Sequence, residues 1–250
     1  MKTLLTASAA AVALFAAAPA FAGSGQLDAS YGQIEVPYGD NIDALSIGGA
    51  ATTEIASGWN IQGDATVKRL SQDGDAFQYT DAGLHLFTRN DAWTAGVYAD
   101  TTDMSMMSAW GLGVEGAYNF DKVTVDGSLG YNTIEVFGTD LDGWNVTAGA
   151  TYFVTDNLAF GADLGRMEVE DMELNTWTLS GEWKPEASPV SFYAEYNEKQ
   201  LETFGDFDVN TWTLGVRWTF GADSLKSRER SGASLKGGLN FSDILFAPVI

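Results

Sequence analysis

Residues 211–220 read TWTLGVRWTF, and the spacing of their side chains decides the fold. Trp212, Leu214, Val216, Trp218 and Phe220 fall at every second position, with Thr211, Thr213, Gly215, Arg217 and Thr219 between them. A strand sends successive side chains to opposite faces, so this pattern separates an apolar face from a polar one. A helix would instead group apolar residues three and four apart. The same period of two runs through WNIQGDATVK (59–68), VTVDGSLGY (123–131), GWNVTAGATYFV (143–154), LAFGADLG (158–165) and VSFYAEY (190–196).

Such segments lie near 26–36, 43–55, 59–70, 77–88, 92–100, 107–119, 123–134, 144–154, 157–167, 175–184, 190–198 and 210–220. The first is diluted by glycine and by Pro37. Each is long enough for the ~9–11 residues with which a tilted strand crosses a bilayer. The expected fold is all-β: a closed antiparallel transmembrane barrel of about twelve strands, within a range of roughly ten to fourteen.

A soluble β-sandwich also alternates, with its apolar face inward. Two features favour the membrane barrel. Connections read as alternately short (56–58, 89–91, 120–122, 155–156, 185–189) and longer (37–42, 71–76, 101–106, 135–143, 168–174, 199–209). Tight periplasmic turns and longer outer loops have that asymmetry. Tryptophan also marks strand ends: Trp110, Trp144, Trp177 and Trp212 come early in strands of one direction. Trp59 and Trp93 begin strands of the other, and Trp183 and Trp218 end strands of the first. Eight scattered core residues would not sort by strand direction, whereas indoles settling at two headgroup levels would. Charges keep to the polar face: Asp64, Lys68, Asp81, Glu115, Asp126, Asp163, Glu182, Glu195 and Arg217 are the expected lining of a lumen. That sorting suits both readings, since the polar face of a sandwich meets water.

The chain opens MKTLLTASAAAVALFAAAPAFAG. A positive n-region at Lys2, an apolar stretch and an Ala20-Phe21-Ala22 site make a secretory signal, with cleavage expected after Ala22. The rival, a membrane anchor, is disfavoured by shortness and by Pro19. Three segments follow: a signal peptide at 1–22, a barrel at 23–220 and a periplasmic tail at 221–250. The chain has no cysteine, so an exported form has no disulfide and relies on packing or on a closed sheet. Thirteen Lys and Arg against 34 Asp and Glu give a net charge of −21, which disfavours nucleic acid. At 45% hydrophobic and 12% aromatic, the sequence is too apolar for disorder.

The stretch TLGVRWTF is similar to the terminal-strand signal of outer-membrane β-barrels. Thr213, Gly215, Trp218 and Phe220 occupy its polar, glycine and aromatic positions. The chain as a whole resembles small porin-like proteins of the Gram-negative outer membrane. The resemblance implies recognition by the barrel assembly machinery, outer-membrane lipid and lipopolysaccharide as surroundings, and homo-oligomers as a further association; no oligomer interface is legible. Family members often end at the final aromatic, but this chain runs thirty residues further.

Catalysis finds little footing. His85 is the sole histidine, without a hydrolase signature, and reads as a lumen polar residue. No cofactor is expected, and a metal is left open. Acidic residues at the outer intervals, among them Asp73, Asp75, Asp140, Asp142, Glu168, Glu170 and Asp171, could take Ca²⁺ or Mg²⁺, but a solvated acidic rim explains them as well. DGD at 73–75 is too short for a calcium loop.

The tail carries Lys226, Arg228, Arg230 and Lys236, the one basic stretch of an acidic chain. A disordered extension is the expectation, with peptidoglycan contact or insertion into the lumen as alternatives. The function these features imply is passive diffusion of small hydrophilic solutes or ions, with cations preferred. The alternative is a non-conducting structural or adhesive barrel whose acidic loops bind a partner or divalent cations.

Overall fold

In the computed structural model the residues described are 23–239, except 38, 105–106, 137, 171 and 203–205. The expected signal peptide, the residues 240–250 and Asp171 lie outside them. The strands are β1 (Ser24–Glu35), β2 (Ile42–Ala56), β3 (Trp59–Gln72), β4 (Asp75–Arg89), β5 (Trp93–Met104) and β6 (Met107–Asn119). They continue as β7 (Val123–Val136), β8 (Thr139–Thr155), β9 (Leu158–Val169), β10 (Met172–Trp183), β11 (Val190–Glu202) and β12 (Asp206–Phe220). Each pairs antiparallel with its sequence neighbour, and β1 pairs with β12 from Gly25↔Phe220 to Glu35↔Asn210, closing the barrel. Closure leaves no open edge, which is what allows strands to cross a bilayer.

The registers fix the faces. Val114 opposes Val97, and Leu129 opposes Val114 and Val146, all outward; Glu115 opposes Ser128, and Asp163 opposes Thr178, all inward. The outer wall is apolar and open to its surroundings, with Leu214 65% and Leu164 64% exposed.

The connections differ from the expectation. At the end away from the termini they are 36–41, 73–74, 105–106, 137–138, 170–171 and 203–205. At the terminal end they are 57–58, 90–92, 120–122, 156–157 and 184–189. The intervals read as long loops are mostly strand. Their polar residues mark where the apolar face ends, and pairing runs on past that point to Gln72↔Asp75, Val136↔Thr139 and Glu202↔Asp206. Backbone groups gain partners by extending the ladder, whatever the side chains beside them. Asp73 and Gly74 form the β3–β4 turn with φ of 53° and 96°, the two positive values that a tight primed turn requires, so DGD is a hairpin.

Past Phe220 the chain does not trail away. Gly221 turns it at φ 72° against Ser24, where a side chain would strike the start of β1. A short helix, α1 (Leu225–Ser231), follows, capped by Ser224 and Ser227. The expected disordered extension is therefore corrected over 221–239: this stretch is ordered, and it turns back into the barrel.

Candidate functional site: the lumen and the segment within it

The inward faces of twelve strands enclose one lumen, and all nine charged residues singled out in the sequence stand on its wall. Asp126, Asp163, Glu182, Glu195 and Arg217 line a cavity of about 370 Å³ beside the tail. Lys68, with Glu195 and Arg217 again, lines a neighbouring space of about 240 Å³ against β1 and β2. Asp64 and Glu115 flank His85, and Asp81 accepts a hydrogen bond from Thr102 at 2.6 Å. Asp28 lies on the same wall and was missed, because glycine and serine blur the alternation of β1.

The tail enters at the terminal end and climbs. Leu225 is buried against Phe153 and Ala159. The Arg230 guanidinium donates to the backbone oxygens of Phe120 and Asp121, and Arg89 Nη1 donates to Gly232 O at 2.9 Å. Higher up, side-chain amides act as a ladder for the tail backbone. Gln62 Nε2 donates to Leu235 O at 2.8 Å, and Leu235 N–H donates back to Gln62 Oε1 at 3.3 Å. Gly237 N–H donates to Glu115 Oε2 at 3.2 Å, and Leu239 N–H donates to Asn145 Oδ1 at 3.3 Å. Asn132 Nδ2 closes the set on Leu239 O at 3.2 Å. Gln62 and Asn145 are fully buried, so their amides need these partners.

Arg228 and Lys236 make the closest ionic contacts of the tail, while Lys226 lies 3.9 Å from both Asp121 and Asp156 at the terminal end. Arg228 lies fork-to-fork on Glu182, Nη1–Oε1 2.6 Å and Nη2–Oε2 2.7 Å. Glu182 also takes Arg217 Nη1 at 2.7 Å and Ser191 Oγ at 2.5 Å. Lys236 Nζ sits 2.6 Å from Asp163 Oδ1 and 3.6 Å from Asp126 Oδ1. Desolvation opposes both tail charges. For Arg228 the Glu182 bonds outweigh it, and for Lys236 the Asp126 and Asp163 carboxylates do, so both pKa values stand above their ordinary ones.

His85 is more than a stray polar residue. Its Nδ1 lies 2.6 Å from Glu115 Oε1 and its Nε2 2.8 Å from Asp64 Oδ2, so both nitrogens are engaged by carboxylates. It braces the carboxylate that receives Gly237. A single histidine carries no sequence signal for this, since its partners come from β3 and β6.

Beyond Leu239 the wall changes character. Ala109, Ile134, Met167, Val169, Leu174 and Leu201 form one buried apolar cluster on which Leu239 packs. Ile34, Ala44, Leu70, Tyr79 and Val209 form another on the opposite strands. The lumen is thus ionic near the termini and apolar near the far rim.

On the outside, Trp110, Trp144, Trp177 and Trp212 lie toward the far rim. Trp59, Trp93, Trp183 and Trp218 lie toward the terminal end. Neighbouring aromatics extend both sets, with Tyr196 4.6 Å from Trp212 and Phe192 6.2 Å from Trp183 between ring centroids. Beyond the first set, the outward face does carry charge. Arg166 bridges Glu168 and Glu173 at 2.5 and 2.8 Å, and Trp144 Nε1 donates to Glu168 at 3.0 Å. Of these strand residues, Glu168 and Glu173 were read as loop. Among the described residues no three His, Asp or Glu side chains gather in a way that could hold a metal ion. Thr213 and Gly215 face the lumen on β12, and Trp218 and Phe220 face outward at its end.

A closed antiparallel barrel with an apolar exterior and a polar lumen defines a transmembrane β-barrel protein. The chain belongs to the outer membrane protein β-barrel domain family, whose model matches residues 6–184. No curated protein matches the chain significantly. Among solved structures it is similar to the NanC porin (14% identity, TM-score 0.56, 78% of this chain and 100% of that one). The KdgM porin is comparable (14%, 0.54, 77% and 99%). So is an outer membrane channel from Pseudomonas putida F1 (9%, 0.55, 79% and 94%). At these identities the likeness shows the fold.

Proposed function

We propose that this barrel is an outer-membrane channel for passive diffusion of small hydrophilic solutes or ions, with cations preferred. The observation that carries the reading is the open space left beside the tail. The cavities of about 370 and 240 Å³ share Tyr193, Glu195, Asn197 and Arg217, and so meet along the β11–β12 wall. Their carboxylates include Asp28, Asp163 and Glu195, which favour cations by raising their local concentration. The chain is exported and cleaved after Ala22, its terminal end faces the periplasm, and the two tryptophan levels mark the headgroup regions. The assembly machinery reads Thr213, Gly215, Trp218 and Phe220. The reading assigns no residue to catalysis.

A second reading, a barrel that does not conduct, draws on the tail itself and on the apolar clusters narrowing the far half. Conductance of the refolded mature chain in a planar bilayer under a KCl gradient separates the two. Defined current steps with a cation-favouring reversal potential support the channel. A silent, heat-modifiable barrel supports the second reading, and an anion-favouring potential removes the selectivity.

A further inference from the structure

The tail can be regarded as a ligand that the chain carries for itself. Of its four basic side chains, two reach the carboxylates of the inner wall, the Arg228 guanidinium and the Lys236 ammonium, eight positions apart along the chain. Glu182 holds Arg228 in a bidentate fork, the geometry that guanidinium recognition favours. Lys236 has one charge against two carboxylates, Asp126 and Asp163. Around Gly237 the tail offers only backbone to Glu115.

These contacts have the form of a receptor for a flexible polycation. The barrel folds through its own ladders, with the tail touching its inner surface by side chains and polar groups. The carboxylates remain after the tail leaves. Among the described residues, Glu182 alone of these three keeps a basic partner on the wall, Arg217. The acceptors freed by departure of the tail are then Asp126, Asp163 and half of Glu182.

We propose that the carboxylates holding Arg228 and Lys236 are a binding site for linear polyamines, which enter by displacing the tail. The inference rests on the channel reading for how such a solute reaches the lumen, but the binding can be measured without current. Several linked ammonium groups can meet these separated carboxylates at once, as the tail does. A single ammonium meets one of them and leaves the other tail anchor in place. Displacement thus selects for multivalency.

The chain has no cysteine, so Ala233→Cys introduces a single thiol at a site buried by the docked tail. Its labelling rate by a maleimide is measured on the folded full chain with spermidine, and with ethylammonium at matched ionic strength. The rate should rise severalfold with spermidine only. Equal rates in both, or no rise in either, overturn the proposal.

In the full-length Arg228→Gln, Lys236→Gln variant the tail no longer competes. A self-ligand that fills its site about nine-tenths of the time weakens a competitor about tenfold, so removing the tail's charges should tighten spermidine binding, measured by calorimetry, by about tenfold or more. Unchanged or weaker binding by a heat-modifiable variant overturns it. Should that variant fail to fold, the labelling comparison decides alone. A chain that passes both tests yet passes no current keeps the site and loses the channel.

Discussion

The two halves of the lumen are built on different chemistry, although the same strands form both. Near the termini the wall meets the tail through Glu182, Asp163, Gln62 and Glu115, in ionic and amide contacts. Near the far rim the same strands turn Leu70, Tyr79, Ile134 and Leu174 inward, each almost wholly buried. Packing of the second kind is non-directional and adapts to shape; contacts of the first kind need specific partners. The barrel is therefore packed on its own apolar side chains at one end and addressed to one segment at the other.

Removing the hub of the ionic half should have the largest effect. Glu182→Ala leaves Arg228 and Arg217, both largely buried, without their carboxylate, and stranding buried charge costs about 3–5 kcal/mol. The tail should come free, and the temperature of the heat-induced gel shift should fall. An unchanged shift would mean that the ionic half contributes little. In the apolar half, Leu174→Ala should cost about 2–5 kcal/mol by opening a cavity, but leave the Ala233→Cys thiol as protected as before. Loss of that protection would show the two halves to be one cooperative unit.

The smallest expected effect is that of pH on the tail. Burial pushes the Glu229 carboxyl up, while Lys236 and Arg228 pull it down and Asp126 and Glu182 add to the rise. A raised value in the docked state means that the protonated form docks better. The contribution is full below the ordinary pKa of about 4.3 and fades as pH rises through the raised value. A dye on Ala233→Cys should report mild loosening over that window, and Glu229→Gln should flatten the response.

The barrel was legible because alternation is local. Every strand except β1 announced its faces within ten residues, as Trp212 to Phe220 does, and lipid enforces the sorting on each strand separately. The ends of the strands were not legible. Outside the membrane nothing requires the outward face to be apolar, so Glu168 and Glu173 looked like loop while their backbones stayed paired across β8, β9 and β10. The inward charges could be placed on a face but not matched to one another. Glu182 meets Arg228 across 46 positions and Gln62 meets Leu235 across 173, and no period links residues at such separations. His85 suffered the same way. The tail's basic residues were visible against an acidic chain, yet composition alone could not tell a solvated extension from an internal one.

The turn at Gly221 has a consequence for the order of events in assembly. It hinges the tail directly on the seam, against Ser24 at the start of β1. The partners of the tail lie on both sides of that seam, Gln62 on β3 and Glu182 on β10. They stand at the right separation only once β1 and β12 have joined. Docking of the tail is thus a late event that reports closure, and a chain stalled with its seam apart would show itself by an unclaimed tail.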